Sequence, residues 1–248
     1  MRAMARIGVG AWARLFTTAA CLGWCAAPAS AQQNLFNVPS AEITPQNGLF
    51  FQQQFNLNRS YQSNSTISYG LGHDFEVGLN VFDLAFLPER GSQMGAGSPL
   101  FLVNAQKGFE LTDDFKLGLG TQLGQTVPGR RADVRLANFT YLTGVADLPD
   151  ERGKLYAGTY FANGQYRNQR GDPVGFMLGY DIPVIKDRFS LIGDYISGRS
   201  GISVAVIGGV YQFNENVQLS VGAQLPSPGS HNPYGAVIEL TYVPGKGR

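Results

Sequence analysis

The stretch that decides the fold is NVQLSVGAQL, residues 216–225, in which polar and apolar side chains alternate without interruption. Val217, Leu219 and Val221 fall on one face of an extended strand, and Gln218 and Ser220 fall on the other. The pattern predicts a strand with one apolar and one polar face. It leaves open which of the two faces points to the inside of the protein.

The first residues of the 248-residue chain predict a cleaved secretory signal peptide, residues 1–31. Arg2 and Arg6 give it a positive beginning, residues 15–27 form a short and mostly apolar run, and the small residues ASA at 29–31 match a cleavage site. The apolar run is too short for a membrane-spanning helix. We therefore expect an exported protein.

The rest of the chain, taken without this peptide, indicates a single all-β domain. It contains no Cys and no Trp, because Cys21, Cys25, Trp12 and Trp24 all lie in the peptide. Disulfides are thus excluded as a source of stability. Without Arg2, Arg6 and Arg14 of the peptide, the formal net charge falls from +1 to −2, so nothing strongly basic remains and we expect no nucleic-acid partner. Glycine is abundant, and no long segment has helical periodicity.

Alternation and turn signals divide residues 48–243 into about twelve strands. The predicted strands are 48–58, 64–72, 76–85, 98–109, 114–124, 135–146, 154–165, 173–182, 188–196, 201–212, 216–225 and 234–243. Short connections alternate with longer ones at 59–63, 86–97, 125–134, 166–172, 197–200 and 226–233. This alternation predicts an antiparallel up-and-down transmembrane β-barrel with short periplasmic turns and longer external loops.

Strand length and composition favour an apolar outside. Strands of about ten residues match the length that crosses a bilayer at a tilt, whereas strands of globular proteins average five or six. The polar faces consist mainly of Gly, Ser, Thr, Gln and Asn, with few of the charges that water-facing strands carry. A soluble all-β domain with its apolar face turned inward is the alternative.

In this architecture the chain resembles bacterial outer-membrane β-barrel proteins, and more narrowly the small twelve-stranded monomeric porins and transporters. The resemblance is architectural, covers nearly all of residues 48–243 and includes no diagnostic motif. The last strand, GAVIELTYV, is similar to the assembly signal of such barrels, with Tyr242 as its closing aromatic, although a tail, residues 244–248, follows it. The resemblance implies an outer-membrane location, with membrane lipid, lipopolysaccharide and the barrel-assembly machinery as partners.

The polar face of the predicted strands supplies the candidate site. The predicted pore-lining residues are Gln52, Gln54, Asn56, Lys116, Gln122, Asp194, Gln218, Gln224 and Glu239. Rings of charge tune the selectivity of pores. Alternatively, Glu239 and Asp194 pair with Lys116 and close the lumen. Residues 32–47, QQNLFNVPSAEITPQN, are assigned to a periplasmic N-terminal segment, and folding of this segment into the barrel stays open as the alternative.

Arginine is concentrated at the predicted loop end, where no lysine occurs. Planar guanidinium groups bind phosphate bidentately, so an arginine rim facing lipopolysaccharide is one hypothesis; a general enrichment of charge in loops is the other. The rim residues are Arg59, Arg90, Arg130, Arg131, Arg135, Arg167, Arg170 and Arg199.

The sequence offers no candidate for catalysis. The histidines after residue 31 are His73, in a tight turn, and His231, in the loop SPGSHNP. The phospholipases and deacylases among outer-membrane barrels carry a His followed two residues later by a Ser, and neither His73 nor His231 is followed in this way. We expect no enzyme, no metal and no cofactor. The favoured function is a passive channel for small solutes; the alternatives are a closed accessory barrel within a larger envelope assembly and a lipid-modifying enzyme.

Overall fold

The computed structural model describes residues 34–59, 61–86, 99–126, 136–167 and 171–243. Within these ranges the chain forms twelve antiparallel strands, a 3₁₀ turn at Pro149–Glu151 and one short helix, α1, at Gly164–Arg167. The strands are β1 Leu49–Leu57, β2 Gln62–Gly72, β3 Phe75–Ala85, β4 Leu100–Thr112, β5 Phe115–Thr126, β6 Leu136–Asp147, β7 Lys154–Ala162, β8 Val174–Ile185, β9 Phe189–Ile196, β10 Val204–Gln212, β11 Val217–Pro226 and β12 Gly235–Tyr242. The expected signal peptide and the tail at 244–248 lie outside the described residues.

The strands close into a barrel in which each strand pairs with its sequence neighbours and β1 pairs with β12. In the closing pair Phe55 lies opposite Ile238, and Gln54 lies opposite Glu239. The predicted all-β barrel of twelve strands is therefore confirmed. The ends of the strands differ by a few residues from the prediction; β4, for example, continues to Thr112 because a bulge near Glu110 carries the pairing with β5 past the expected end.

The two ends of the barrel are unlike, and we call them the turn end and the loop end. Tight connections such as 73–74, 113–114 and 186–188 lie at the turn end, together with residue 48 before β1 and residue 243 after β12. His73 and Asp74 both have positive φ, 52° and 54°, as the central residues of a type I′ hairpin turn require. The longer connections and α1 lie at the loop end.

The outside of the barrel is apolar. Each of the twelve strands exposes at least one large apolar side chain. In β11, Val221 and Leu225 are exposed, whereas Gln218, Ser220 and Gln224 are buried inside. The arrangement is therefore the reverse of a soluble β-domain. In the part of the chain that the structure describes, no helix is long and apolar enough to span a membrane.

The inside is not uniformly polar. Tyr156, Met177 and Ile192 point inward from β7, β8 and β9 and are buried in one apolar cluster with Leu35 and Val38. These last two residues precede β1, so the cluster is formed by the barrel wall and a chain segment inside it.

Candidate functional site: the occupied lumen and the loop-end cavity

Residues 34–47 lie inside the barrel, and we call them the inner segment. The segment leads into β1 at the turn end, where Gln46 forms a parallel bridge with Gly70 of β2. Farther along it passes Gly118 of β5 so closely that a Cβ at this glycine would lie 2.9 Å from the Cα of Ala41. Of the two positions considered for residues 32–47, the described part thus occupies the interior of the barrel, where wall glycines make room for its backbone.

The tip of the inner segment is a compact turn. The amide of Leu35 donates to the carbonyl of Val38 at 3.0 Å, and Asn34 forms a bridge with Pro39. Leu35 and Val38 are fully buried. The ring of Phe36 packs at Gly222 of β11, where a Cβ would lie 2.7 Å from its Cζ. Apolar side chains therefore fix the tip against the wall.

Buried carboxylates of the wall bind backbone amides of the inner segment. Asp194 of β9 accepts hydrogen bonds from the amides of Asn37 and Val38, the latter at 2.9 Å. Glu76 of β3 accepts from the amide and the hydroxyl of Thr44, both at 2.7 Å. Charge-assisted hydrogen bonds of this kind are the stronger ones in proteins. The two anchors lie in distant strands, so the segment is held from two sides.

Wall amides bind carbonyl groups of the same segment. Gln54 Nε2 donates to the carbonyl of Phe36 at 2.9 Å, and Gln106 Nε2 donates to that of Ser40 at 2.8 Å. The segment thus receives the backbone hydrogen bonds that a buried chain needs, although it belongs to no sheet.

Glu42 joins the inner segment to two lysines of the turn end. Its carboxylate lies 2.7 Å from Lys154 Nζ and 3.4 Å from Lys116 Nζ, and Lys116 also lies 3.6 Å from Glu110. Burial by itself would raise the pKa of Glu42, but the charges and hydrogen bonds of Lys154 and Lys116 outweigh burial and hold this pKa below its usual range. Glu42 is therefore ionised at neutral pH.

A cavity of about 520 Å³ reaches the loop end and extends past the tip of the inner segment, along the wall, to Glu76 near the start of β3. Asn34, Phe36 and Asn37 of the segment lie on its deep side, and Arg59 and His231 lie at the loop end. Fourteen of its thirty-three described lining residues are Asn or Gln. The volume is in the range of small-molecule sites.

Aromatic side chains of β6, β7 and α1 form a stack at one side of this cavity. The ring of Phe139 lies 4.9 Å from that of Tyr166 at an interplanar angle of 14°, and 5.5 Å and 5.7 Å from those of Tyr141 and Tyr160. The Tyr166 hydroxyl donates to Gln122 Oε1 at 2.6 Å. Burial, with a contribution from the charge of Asp83, raises the pKa of Tyr166 and keeps this hydroxyl protonated.

The structure places the predicted lumen residues in three groups. Those that line the cavity are Gln52, Gln54, Asn56, Gln122 and Gln224. Lys116 and Asp194 contact the inner segment, as described above. Gln218 and Glu239 are buried and point inward, and Glu239 accepts hydrogen bonds from the hydroxyls of Ser220 and Thr241 at 3.5 Å and 3.4 Å. Lys116 forms ion pairs with Glu42 of the inner segment and with Glu110 of β4.

The sequence reasoning did not identify Glu42, Glu76, Phe139, Tyr141 and Tyr166 as site residues. The predicted strand 154–165 carries aromatic residues on both faces, but of the aromatic stack it contains only Tyr160. Nothing local in the sequence indicates that Glu42 and Glu76 meet partners inside the barrel.

Three of the predicted rim arginines are described, and they differ in their surroundings. Arg59 is exposed at the cavity mouth, and Arg199 is exposed beside Asp172, at 3.4 Å. Arg167 is buried and donates to the carbonyls of Ala162 and Gly171, so its guanidinium holds the loop structure. The others, Arg90, Arg130, Arg131, Arg135 and Arg170, lie outside the described residues.

The two histidines lie at opposite ends of the barrel, His73 in a turn and His231 in a loop, and both are exposed. They therefore do not form a common site. Across the described ranges, no three His, Cys, Asp or Glu residues are placed so that they hold a metal ion together.

Comparison with known proteins gives matches among solved structures only. A KdgM porin in complex with disordered oligogalacturonate matches with a TM-score of 0.55 at 14% identity, over 78% of this chain and 98% of that chain. A second KdgM porin structure gives 0.54 at 14%, again over 78% and 98%. An outer membrane channel from Pseudomonas putida gives 0.50 at 11%, over 83% and 97%. No protein-family description and no curated protein matches the sequence. The chain therefore has the fold of small porin-like outer-membrane barrels, as its sequence pattern predicted.

Proposed function

We propose that the protein is an outer-membrane channel for small solutes. The observation that carries the proposal is the closed barrel with an apolar outside and a polar cavity that reaches the loop end. Only a closed barrel lets strands cross hydrocarbon without unpaired backbone groups. The porin fold of the structural neighbours supports the same function at the level of the fold.

In this proposal solutes enter from the loop end, and the inner segment forms the narrow part of the path. The cavity extends from Arg59 and His231 down to the segment, whose tip is fixed by buried apolar side chains. Apart from the bridge between Gln46 and Gly70, the segment is held by discrete hydrogen bonds and ion pairs. The passage therefore depends on the position of one short chain segment.

Conductance of the purified full-length protein in a planar bilayer tests the proposal. Heat-modifiable migration of protein from the outer-membrane fraction of a Gram-negative host is examined first, since a folded barrel migrates differently before and after boiling. Stepwise, reproducible conductance supports a channel. A protein that folds and inserts but never conducts would refute it in favour of a closed accessory barrel.

Charge at the cavity mouth provides a second test. Arg59→Gln removes an exposed positive charge from the mouth and is expected to shift ion selectivity toward cations. Arg199→Gln is the matched control, because Arg199 is also exposed at the loop end but does not line the cavity. Equal selectivity shifts in both variants would show that the cavity is not on the ion path.

The exposed guanidinium groups of Arg59 and Arg199 also remain the candidates for contact with lipopolysaccharide phosphate. If they serve that purpose, the double variant Arg59→Gln with Arg199→Gln lowers the amount of lipopolysaccharide that copurifies with the folded protein. Unchanged copurification would remove the rim hypothesis for these two residues.

A further inference from the structure

We infer that the loop-end cavity is a binding site for neutral saccharides. The inference deepens the proposed function, because it names the chemical class of solute for the same cavity. It rests on the lining of the cavity, on the aromatic stack and on a buried amide group that has no hydrogen-bond partner among the described residues.

The lining suits uncharged ligands that both donate and accept hydrogen bonds. Asn and Gln side chains offer donors and acceptors side by side, as hydroxyl groups require, and they make up fourteen of the thirty-three described lining residues. Some of these amides, Gln54 and Gln106 among them, already donate to the inner segment, so the others carry the binding. The formal charges of the described lining balance, with Arg59 and Arg167 against Glu76 and Asp83. Arg167 and Glu76 already bind protein groups, since Glu76 accepts from Thr44. A charged solute would find no surplus of opposite charge here.

The aromatic stack supplies an apolar surface beside the polar lining of the cavity. Phe139, Tyr141 and Tyr166 all line the cavity beside the amides. A pyranose ring has an apolar C–H face and a rim of hydroxyl groups, so it packs on an aromatic surface while its rim binds amides. The hydroxyl groups of Tyr141 and Tyr166 donate to Gln106 and Gln122 and so fix these amides next to the rings.

Gln52 provides an independent observation. Its side chain is buried, lines the cavity, and accepts a hydrogen bond from Asn34 Nδ2 at 3.2 Å through Oε1. Its Nε2 group has no hydrogen-bond partner among the described residues. A buried amide N–H₂ without a partner costs free energy. Because Nε2 is itself closed off from the cavity, the Gln52 amide must turn before a ligand oxygen can satisfy it.

Binding of lactose and maltose to the folded protein in detergent, measured by isothermal titration calorimetry, tests the inference without any transport step. Lactobionate, the anionic relative of lactose, is the charged comparison. We expect saturable binding of the neutral sugars and weaker binding of lactobionate. Absence of heat with both neutral sugars at tens of millimolar, or tighter binding of lactobionate, would overturn the inference.

Two variants locate the binding in the cavity. Tyr166→Leu removes one stacking ring and is expected to weaken binding about tenfold. Asn56→Leu keeps the side-chain size, removes an amide from the lining and is expected to weaken binding about fivefold. Phe176→Leu is the control, since Phe176 belongs to an aromatic pair with Tyr195 on the outer face. Heat-modifiable migration verifies that each variant is folded.

The outcomes separate this inference from the channel proposal. A protein that binds lactose but does not conduct would refute the channel and retain the site. A conducting protein without sugar binding, or with the same affinity in Tyr166→Leu, Asn56→Leu and Phe176→Leu, would refute the site and retain the channel.

Discussion

Replacing Glu42 by Gln should release the inner segment from the turn end. The carboxylate is 16% exposed and contacts Lys154 Nζ at 2.7 Å and Lys116 Nζ at 3.4 Å, and both lysine side chains are about one-quarter exposed. A hydrogen bond to a charged group contributes about 1.5–3 kcal/mol, and partial exposure places this pair near the lower end. With a smaller contribution from Lys116, we expect a loss of about 2 kcal/mol, or roughly a thirtyfold larger population of the released segment.

Hydrogen exchange of segment amides measures that population. The amides of Val38 and Thr44 are bound to buried carboxylates, so they exchange only when the segment leaves the wall. Both should exchange about thirtyfold faster in the Glu42→Gln variant. The control is Glu151→Gln, which removes an ion pair of the same 2.7 Å length to Lys186 at the exposed turn end and should leave the segment amides unchanged.

Two results would refute the reasoning. If Glu42→Gln leaves both amides within about threefold of the parent rate, the ion pairs do not hold the segment. If Glu151→Gln accelerates the same amides equally, the effect is one of general charge and not of the buried contact.

Three further predictions concern pH, the outer face and the fit of the segment. Because the pKa of Glu42 is lowered in the folded protein, its carboxylate stabilises the segment fully above the ordinary pKa of Glu, and this stabilisation is lost as the pH falls from there through the lowered pKa. Hydrogen exchange of the segment amides should therefore become faster in acid. The Glu42→Gln variant should lack this part of the increase. Leu142→Arg, in the middle of β6, should destabilise the inserted barrel by about 2–4 kcal/mol, whereas Leu136→Arg, at the loop end of β6, should destabilise it by about 0–1 kcal/mol. Unfolding from lipid vesicles measures both free energies, and equal losses would contradict the membrane orientation. Gly222→Ala should crowd the ring of Phe36, cost about 1–3 kcal/mol and make the segment accessible to proteases, and a protected segment would contradict this packing.

The barrel was predictable because its determinants are local. Alternation with a period of two assigns each residue to a face, and turn residues set the connections, so twelve strands and the inward position of Gln52, Gln122 and Gln224 follow from short windows. The strand from 216 to 225 is the clearest case: its polar residues are buried inside, and Val221 and Leu225 are exposed outside.

The partners of these residues were not predictable, because they depend on contacts far apart in sequence. Asn37 binds Asp194 across 157 residues, and Glu42 meets Lys154 across 112. The pattern also weakens in β7, where Leu155 is exposed and Tyr156 is buried against the inner segment. A strand with apolar surroundings on both faces shows no alternation of polar and apolar residues, so the sequence of β7 did not indicate that a chain segment lies inside the barrel.

The inner segment also has a mechanical consequence for the barrel. It is tied to Glu76 on β3 and to Asp194 on β9, strands that are six apart in a closed ring of twelve and therefore face each other. The segment therefore links two opposite sides of the barrel and opposes flattening of its cross-section. We therefore expect that loosening these bonds lets the wall deform more easily along the line from β3 to β9.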